Sequence, residues 1–150
     1  MKKGFTIIEV ITTLAVVGVL ATISVPNMMA YVLKTEYTAH EAVLNFLMRA
    51  QEIYYLEEDE FFPQQGTINI PKGVKMSIPE LSYTFPEGHK HRYVIYGLNR
   101  DFGAFKIRYY YIMVYTDFDF NGNGQDDLFM ATTYVLNNEY VYRGWIRQFW

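Results

Sequence analysis

Glu9 is the residue of this sequence whose chemistry most needs an explanation, because it is the only charged residue between Phe5 and Leu33. A carboxylate in a membrane-spanning helix costs on the order of 3 kcal/mol on insertion scales, and such residues usually have a functional partner. A helix of this segment would be about 44 Å long and would exceed the ~30 Å hydrocarbon core of a bilayer. We therefore predict a membrane-spanning helix in which Glu9 has a specific partner.

The residues that precede Glu9 resemble a known processing signal. The Lys-Gly-Phe-Thr-x-x-Glu pattern at positions 3–9, followed by the apolar segment, is similar to the class III signal of type IV pilins and pseudopilins. The resemblance implies cleavage between Gly4 and Phe5 by a prepilin peptidase that also N-methylates the new amino terminus at Phe5.

The same resemblance implies a division of the chain into three parts. Residues 1–4 would be the leader peptide, and residues 5–33 a hydrophobic helix that serves first as membrane anchor and then as filament core. Residues 34–150 would be the globular α+β domain of a pilin.

Two simpler interpretations explain the N-terminal segment less well. A secretory signal peptide has an apolar region of about 7–15 residues and a small-x-small cleavage site. Here Glu9 would interrupt that region, and no such site follows Val25. A plain transmembrane anchor fits the length but leaves Glu9 unexplained.

Cleavage would create a cation near Glu9, namely the α-amino group of Phe5. Residues four apart lie on one face of a helix, so this amine and the carboxylate can pair within one subunit. The resemblance implies instead that Glu9 of one subunit meets the Phe5 amine of a neighbour already in the filament. A desolvated pair of this kind favours correct register more than raw stability.

Gly18 and Pro26 are expected to weaken the apolar helix. Pro26 lacks an N–H and clashes with the carbonyl of Thr22, which predicts a kink or local unwinding. Gly18 lowers helix stability by about 1 kcal/mol relative to Ala. The resemblance implies that residues 18–26 melt in the assembled filament, whereas the simpler interpretation is an ordinary kinked membrane helix.

Residues 115–127 are the second region with recognisable chemistry, because calcium prefers several oxygen ligands on a short loop. Counted from Asp119, the segment resembles an Asp-x-Asp-x-Asp-Gly calcium loop, whereas a loop that begins at Asp117 places its ligands less well. The expected ligands are Asp119, Asn121, Asn123, the carbonyl of Gln125, and Asp127. Asn-Gly is equally a strong signal for a metal-free hairpin turn. A weak calcium site that replaces a missing disulfide and a turn without metal both remain open.

Two histidines at positions 89 and 91 could contribute to a metal site. Close to them in the sequence there is no cysteine, further histidine or suitably spaced carboxylate. We therefore expect a solvated turn at residues 89–91.

After residue 34 the pattern predicts an amphipathic continuation of the helix to about residue 58, packed under a domain of its own. Acidic residues at 57–60 oppose the helix dipole and favour an end there. The predicted buried stripe comprises Ala39, Ala42, Val43, Phe46, Leu47, Ala50, Ile53 and Tyr54.

The remainder of the chain predicts β structure after a Pro- and Gly-rich connection at 61–92. Within 105–116, alternation predicts that Phe105, Ile107, Tyr109, Tyr111, Met113 and Tyr115 face the helix. The expected fold class is α+β, a long N-terminal helix packed on a C-terminal antiparallel sheet. The predicted strands are Thr67–Ile70, Val74–Ile78, Tyr93–Leu98, Phe105–Thr116, Leu128–Leu136 and Glu139–Trp145.

Composition restricts the classes of function. The chain of 150 residues has a net charge of −3 and no cysteine. Thiol catalysis, iron–sulfur clusters and covalent haem attachment therefore need residues that the sequence lacks, and no haem or redox cofactor is expected. The sequence lacks a basic patch with interleaved aromatics, so specific nucleic-acid binding is not predicted. It also lacks a catalytic motif, so an enzyme is not predicted. The aromatic content of 18% also suggests electron conduction along a fibre, but packing within strands explains it better.

The resemblance implies a structural subunit of a type IV pilus-like filament. Its expected partners are copies of itself, the prepilin peptidase and N-methyltransferase, and an inner-membrane assembly platform. The subunit would lie in the inner membrane before assembly and on the cell surface afterwards. The alternatives are a major pseudopilin of a type II secretion system and a minor or tip adhesive pilin.

Overall fold

The computed structural model describes residues 6–119 and 122–148, with side chains described as far as residue 144. The chain forms two compact units, which divide in sequence between Thr38 and Ala39. Among the described residues, the first unit is helical from Ile7 onward, and the second contains the remainder of the helix together with the β structure.

Helix α1 spans Ile7–Glu58. Its length agrees with the predicted helix, and among the described residues it is long and apolar enough to cross a bilayer. Threonine hydroxyls in the apolar part donate to carbonyls of the preceding turn, as Thr12 does to Ile8 and Thr13 to Glu9, each at 2.7 Å. These bonds satisfy polar hydroxyls without a partner outside the helix.

Pro26 lies inside α1, and the helix continues through it. The local unwinding that the sequence predicts at this position is therefore absent from the described residues of the single chain. A proline removes one backbone hydrogen bond, and the bonds of the flanking turns are sufficient to hold the helix together.

In the second unit, α1 buries a different face from the predicted one. Leu47 is buried as expected, but Phe46 and Ile53 are 45% and 58% exposed. The prediction failed because the helix carries apolar residues on more than one face. The face that is buried also holds two polar side chains, His40 and Gln51. The buried residues of the helix are His40, Leu44, Leu47, Met48, Gln51 and Tyr55.

Five strands form one antiparallel sheet with the order β1-β4-β5-β6-β7. The last four make the predicted meander, and β1 adds to the free edge of β4. The strands are β1 Gln65–Ile70, β4 Arg92–Asp101, β5 Lys106–Tyr115, β6 Leu128–Leu136 and β7 Glu139–Gln148.

The connection between helix and sheet contains more structure than the sequence predicts. Strands β2 (Met76–Ile78) and β3 (Tyr83–Phe85) pair as a small antiparallel hairpin around a 3₁₀ turn at Pro79–Leu81. Only the end of the predicted strand 74–78 is extended, and β3 was not predicted. Leu81 and Phe85 are buried, so this hairpin contributes apolar residues to the core.

The prediction for the two faces of β5 is wrong. Arg108, Tyr110, Ile112 and Val114 are buried, whereas the alternate residues are only half-buried. The Tyr110 ring packs edge-on against Phe61, with centroids 4.7 Å apart. Strict alternation marks two faces but does not say which one meets the helix, because both faces of this strand are rich in apolar atoms.

The tyrosines on the opposite face pack against each other across strands. Tyr96 on β4 stacks on Tyr111 of β5 with centroids 4.8 Å apart and planes within 14°. Tyr109 contacts both Tyr111 and Tyr134 edge-on. This packing accounts for much of the aromatic content of the sheet.

Two side-chain amides hold the segment that leaves the helix. The Gln51 amide donates to the carbonyl of Phe62, and its oxygen accepts from the Phe62 N–H at 2.9 Å. The Asn99 amide likewise donates to the carbonyl of Phe61 at 2.8 Å, and its oxygen accepts from the Phe61 N–H at 2.9 Å. Each amide thus makes the pair of bonds that a neighbouring strand would make, which satisfies the backbone of this segment.

Arg108 connects the end of the helix to the sheet. Its side chain is only 4% exposed, and its Nε donates to the carbonyl of Asp59 at 2.6 Å. Its Nη1 donates to Asp101 at 2.6 Å, and this hydrogen bond lowers the pKa of the Asp101 carboxyl. The predicted helix end near residue 58 is therefore confirmed, and a buried guanidinium caps it.

Candidate functional site

The N-terminal end of α1 is closed by a reciprocal pair of side chains. Thr6 precedes the helix, and its N–H and hydroxyl donate to Oε2 of Glu9 at 2.8 and 2.7 Å. The Glu9 N–H lies 3.4 Å from the Thr6 hydroxyl. This is a capping box, in which the first and fourth residues satisfy backbone groups that a helix start leaves unpaired.

The capping box gives Glu9 a role that the sequence analysis missed. The signal was present, since Thr-x-x-Glu before an apolar run is typical of a helix start. Gly4 and Phe5 lie outside the described residues, so the cleavage position and the pairing of Glu9 with the Phe5 amine stay predictions. Both bonds from Thr6 use Oε2, so Oε1 can accept a hydrogen bond from a further donor.

Gly18 and Pro26 enclose a turn in which helix carbonyls accept additional bonds. The Thr22 hydroxyl donates to Val19 at 2.7 Å and lies 3.2 Å from the carbonyl of Gly18. A β-carbon added to Gly18 would meet no atom within 4 Å. The space around Gly18 does not require glycine in the single chain, which leaves its backbone freedom as the property that distinguishes it.

The described residues of the segment 115–127 form a turn, called the acidic turn below, that is organised around Asp119. Its carboxylate accepts hydrogen bonds from the backbone of Gly122, Asn123 and Gly124 at 2.6, 3.1 and 2.5 Å. The Asn123 side chain accepts from the N–H of Gln125 at 2.9 Å. These bonds hold the turn by side-chain to backbone contacts, and they bring two of the predicted calcium ligands, Asp119 and Asn123, onto the same turn.

The other predicted ligands are placed differently. Asp127 is buried at 2% exposure, at the base of the turn, where its backbone pairs with Thr116 and Phe118. Gln125 is exposed at the tip. Asn121 lies outside the described residues.

Asp117 has a partner of its own. Its carboxylate forms an ion pair with Lys72 from the connection before β2, and the Lys72 hydrogen bond lowers the pKa of the Asp117 carboxyl. Asp117, which the sequence analysis ranked below Asp119 as the start of a calcium loop, thus has Lys72 as its partner.

The expected solvated turn at residues 89–91 is wrong for His91. This imidazole is 4% exposed and packs edge-on against His40 of α1, with ring centroids 3.9 Å apart. Phe118 contacts both histidines with centroids at 5.7 Å. His89 instead lies 3.0 Å from the carbonyl of Val74. Sequence reasoning missed the histidine pair because the two residues are 51 positions apart.

A family profile described as "Prokaryotic N-terminal methylation motif" matches residues 1–25 of the chain. The match covers the positions proposed for cleavage and methylation together with Glu9 and Gly18. It supports the interpretation of the N-terminus as a processing signal and says nothing of the sheet.

Two proteins of known role are similar to this chain over longer stretches. The "Type IV wide pilus major component PilA4" of Thermus thermophilus is 28% identical over 113 residues, which cover 69% of this chain and 86% of that protein. The "Type IV major pilin protein PilA" of Myxococcus xanthus is 30% identical over 60 residues, which cover 40% of this chain and 27% of that protein. No solved structure matches the chain.

The methylation motif, the two pilin relatives, and a long N-terminal helix followed by an antiparallel sheet lead to one assignment. The chain is similar to type IV pilins in its N-terminal motif and along 69% of its length, and this similarity supports a pilus structural subunit.

Proposed function

We propose that this chain is the repeating major subunit of a type IV pilus-like filament. The observation that carries the proposal is Glu9, a single carboxylate in an otherwise uncharged apolar segment, directly after the motif for processing and methylation. Both relatives are named as major components of type IV pili, which supports a major rather than a minor subunit.

Removal of the leader would precede assembly. A prepilin peptidase removes residues 1–4, and the Phe5 amine becomes a cation in the membrane. Glu9 keeps its Oε2 on Thr6 and presents Oε1 to the Phe5 amine of a neighbouring subunit. Neutralising both charges in an apolar environment favours the one axial register that brings them together.

The proposed path starts in the inner membrane and ends on the cell surface. The apolar part of α1 would anchor the subunit beside an assembly platform in the inner membrane. The same surface would then pack against sister helices as the subunit enters the filament. The exposed apolar side chains of this segment, such as Ile11, Leu14 and Val17, can face either environment because neither requires a polar contact.

The test compares substitutions of Glu9 and Thr6. We expect Glu9→Ala to leave the amount of processed, membrane-inserted protein unchanged and to reduce the yield of sheared filaments at least tenfold. Thr6→Ala is the matched control, because it removes the capping box but keeps the carboxylate, and we expect it to assemble far better. Normal filament yield from Glu9→Ala would refute the pairing.

Immunogold labelling of the filaments separates the major subunit from the two alternatives. A major pilin labels the whole length of the fibre, whereas an adhesive tip pilin labels only its end. A major pseudopilin would be required for secretion of other proteins. Label confined to the tip, or a secretion defect without loss of surface fibres, would contradict the proposal.

We also propose that residues 18–26 are the extensible part of the filament core. In the single chain this stretch is helical, with open space for a β-carbon at Gly18 and with Pro26 lacking one backbone bond. The double substitution Gly18→Ala and Pro26→Ala should make filaments stiffer under force than wild-type filaments. Equal extension of the two under force spectroscopy would reject this role.

For the acidic turn we propose weak calcium binding. The proposal is supported by Asp119 and Asn123, which lie on one turn, whereas Asp117 forms an ion pair with Lys72. Affinity in the range of about 10⁻⁴–10⁻³ M is expected, because few carboxylates are available. Millimolar calcium should raise the unfolding temperature of wild type and of Asp117→Asn but not of Asp119→Asn. If the unfolding temperature of wild type is identical in calcium and in chelator, calcium binding is refuted and the turn is metal-free.

A further inference from the structure

His40 and His91 form a buried pair to which the proposed function assigns no role. His40 lies on the second unit's part of α1, and His91 directly precedes β4. Both imidazoles are 4% exposed, their ring centroids are 3.9 Å apart, and their planes are at 85°. A ring nitrogen of one lies within 4.8 Å of a ring nitrogen of the other.

The surroundings of the pair are aromatic. The Phe118 ring lies 5.7 Å from His40 at 27° and 5.7 Å from His91 at 88°. The Phe129 ring lies 6.4 Å from His40 at 25°. These rings pack against the sides of the two imidazoles and contribute to their burial, and a ring nitrogen of one histidine stays close to a ring nitrogen of the other.

We propose that His40 and His91 bind a divalent transition-metal ion, with Zn²⁺ as its representative. Neutral imidazole is the commonest protein ligand for such ions. Two nitrogens on one tetrahedral zinc ion, each at about 2.0–2.1 Å, are roughly 3.3 Å apart. The observed approach of the ring nitrogens is close enough for small side-chain rotations to reach that separation. Positions not filled by imidazole would take other oxygen or nitrogen donors, including water.

This site differs in chemistry from the acidic turn. Calcium and magnesium prefer oxygen ligands and bind imidazole poorly. The histidine pair should therefore select zinc, nickel or copper ions and ignore calcium. The two metal proposals are independent, and each can fail without the other.

A metal at this position would link two segments that are distant in sequence, the helix through His40 and the start of β4 through His91. Phe118, which leads into the acidic turn, packs against both histidines and would not bind the ion. The chain has no cysteine, so a covalent cross-link of these segments by a disulfide is not available. An ion that binds the folded chain and not the unfolded one stabilises the fold by mass action.

The test uses full-length mature protein in detergent, purified without a histidine tag and treated with chelator. Addition of Zn²⁺ at a few tens of micromolar should raise the unfolding midpoint, followed by near-ultraviolet circular dichroism, by ~5 °C. Calcium at the same concentration should not. His40→Gln and His91→Gln should each abolish the zinc-dependent rise.

His89→Gln is the matched control, since His89 is the third histidine of the chain and contacts Val74 rather than the pair. It should keep the full zinc-dependent rise. Loss of the rise in His89→Gln, or its persistence in both pair variants, would overturn the site.

A spectroscopic measurement on wild type covers the case in which the pair variants do not fold. Cu²⁺ added at one equivalent should give an electron paramagnetic resonance spectrum with hyperfine splitting from two imidazole nitrogens. A spectrum without nitrogen splitting, or no zinc-dependent rise in the wild-type midpoint, would overturn the proposal.

Discussion

A β-carbon on Gly97 would lie 1.8 Å from the carbonyl oxygen of Pro63 and 2.9 Å from its carbonyl carbon. Gly97 is buried in β4, where it pairs with Gly66 on β1 and Tyr110 on β5. The segment that leaves the helix therefore crosses the sheet in direct contact with the backbone of β4. Only a residue without a side chain permits this crossing.

Substitution of Gly97 by alanine should thus destabilise the second unit by roughly 3 kcal/mol, because backbone rather than a flexible side chain must move. Urea unfolding followed by circular dichroism measures the change. Gly144→Ala is the control, because its β-carbon would meet only the end of the Tyr142 side chain at 3.3 Å. Equal stability of the two variants would show that the crossing can shift.

Replacement of Gln51 by leucine should destabilise the fold by about 2–4 kcal/mol despite the conserved volume and the gain in apolar character. Gln51 is fully buried and bonds both backbone groups of Phe62, and each group left unpaired costs about 1–3 kcal/mol. The free energy of unfolding gives the result. The exposed Gln65 at the start of β1 serves as control, and Gln65→Leu should change stability by less than ~0.5 kcal/mol.

Arg108→Met should cost roughly 2–3 kcal/mol, because the Asp59 carbonyl loses a charge-assisted donor at the end of the helix. The carboxylates of Asp101 and Asp59 are 60% and 45% exposed and can be hydrated, which limits the loss. Arg108→Lys should be intermediate, because an ammonium group lacks the fork of donors.

The control for Arg108 is another arginine with an acidic partner. Arg143 lies 2.5 Å from Glu52 but is 54% exposed, so Arg143→Met should cost less than ~1 kcal/mol. If the two methionine variants unfold at the same urea concentration, burial of the guanidinium has no special importance.

Alkaline pH should destabilise the second unit through Tyr110. Burial raises the pKa of this phenol to about 12, whereas the unfolded value is near 10. Between these values the unfolded chain releases the proton and the folded chain retains it, so stability falls as pH rises. The loss from this residue would reach roughly 2 kcal/mol by pH 12.

The measurement is the free energy of unfolding between pH 9 and about 12, alongside the phenolate absorbance that reports tyrosine ionisation. Tyr110→Phe removes the titrating group and should flatten the pH dependence. Burial also raises the pKa of Tyr93, so part of the dependence should survive in that variant. An identical pH slope in Tyr110→Phe and wild type would contradict the assignment.

Much of the architecture was predictable because its signals are local. The end of α1 near Glu58 and the full extent of β6 follow from composition and from turn residues within a few positions. The hairpin of β2 and β3 was missed because three-residue strands carry too little pattern to detect. The burial of His91 was missed for another reason, since its neighbours in sequence are polar and its partner, His40, lies on the helix.

By itself the sequence determined the processing motif, the apolar helix with Glu9, the class of fold and the order of the main strands. These properties depend on residues that are close along the chain, where helix caps, periodicity and charge act directly. Only the tertiary structure decided which face of α1 and of β5 is buried. It also decided which backbone groups bond to Gln51 and Asn99, and it paired Lys72 with Asp117. Such choices depend on contacts between segments that are tens of residues apart, where several faces are apolar enough and the best combined packing selects one.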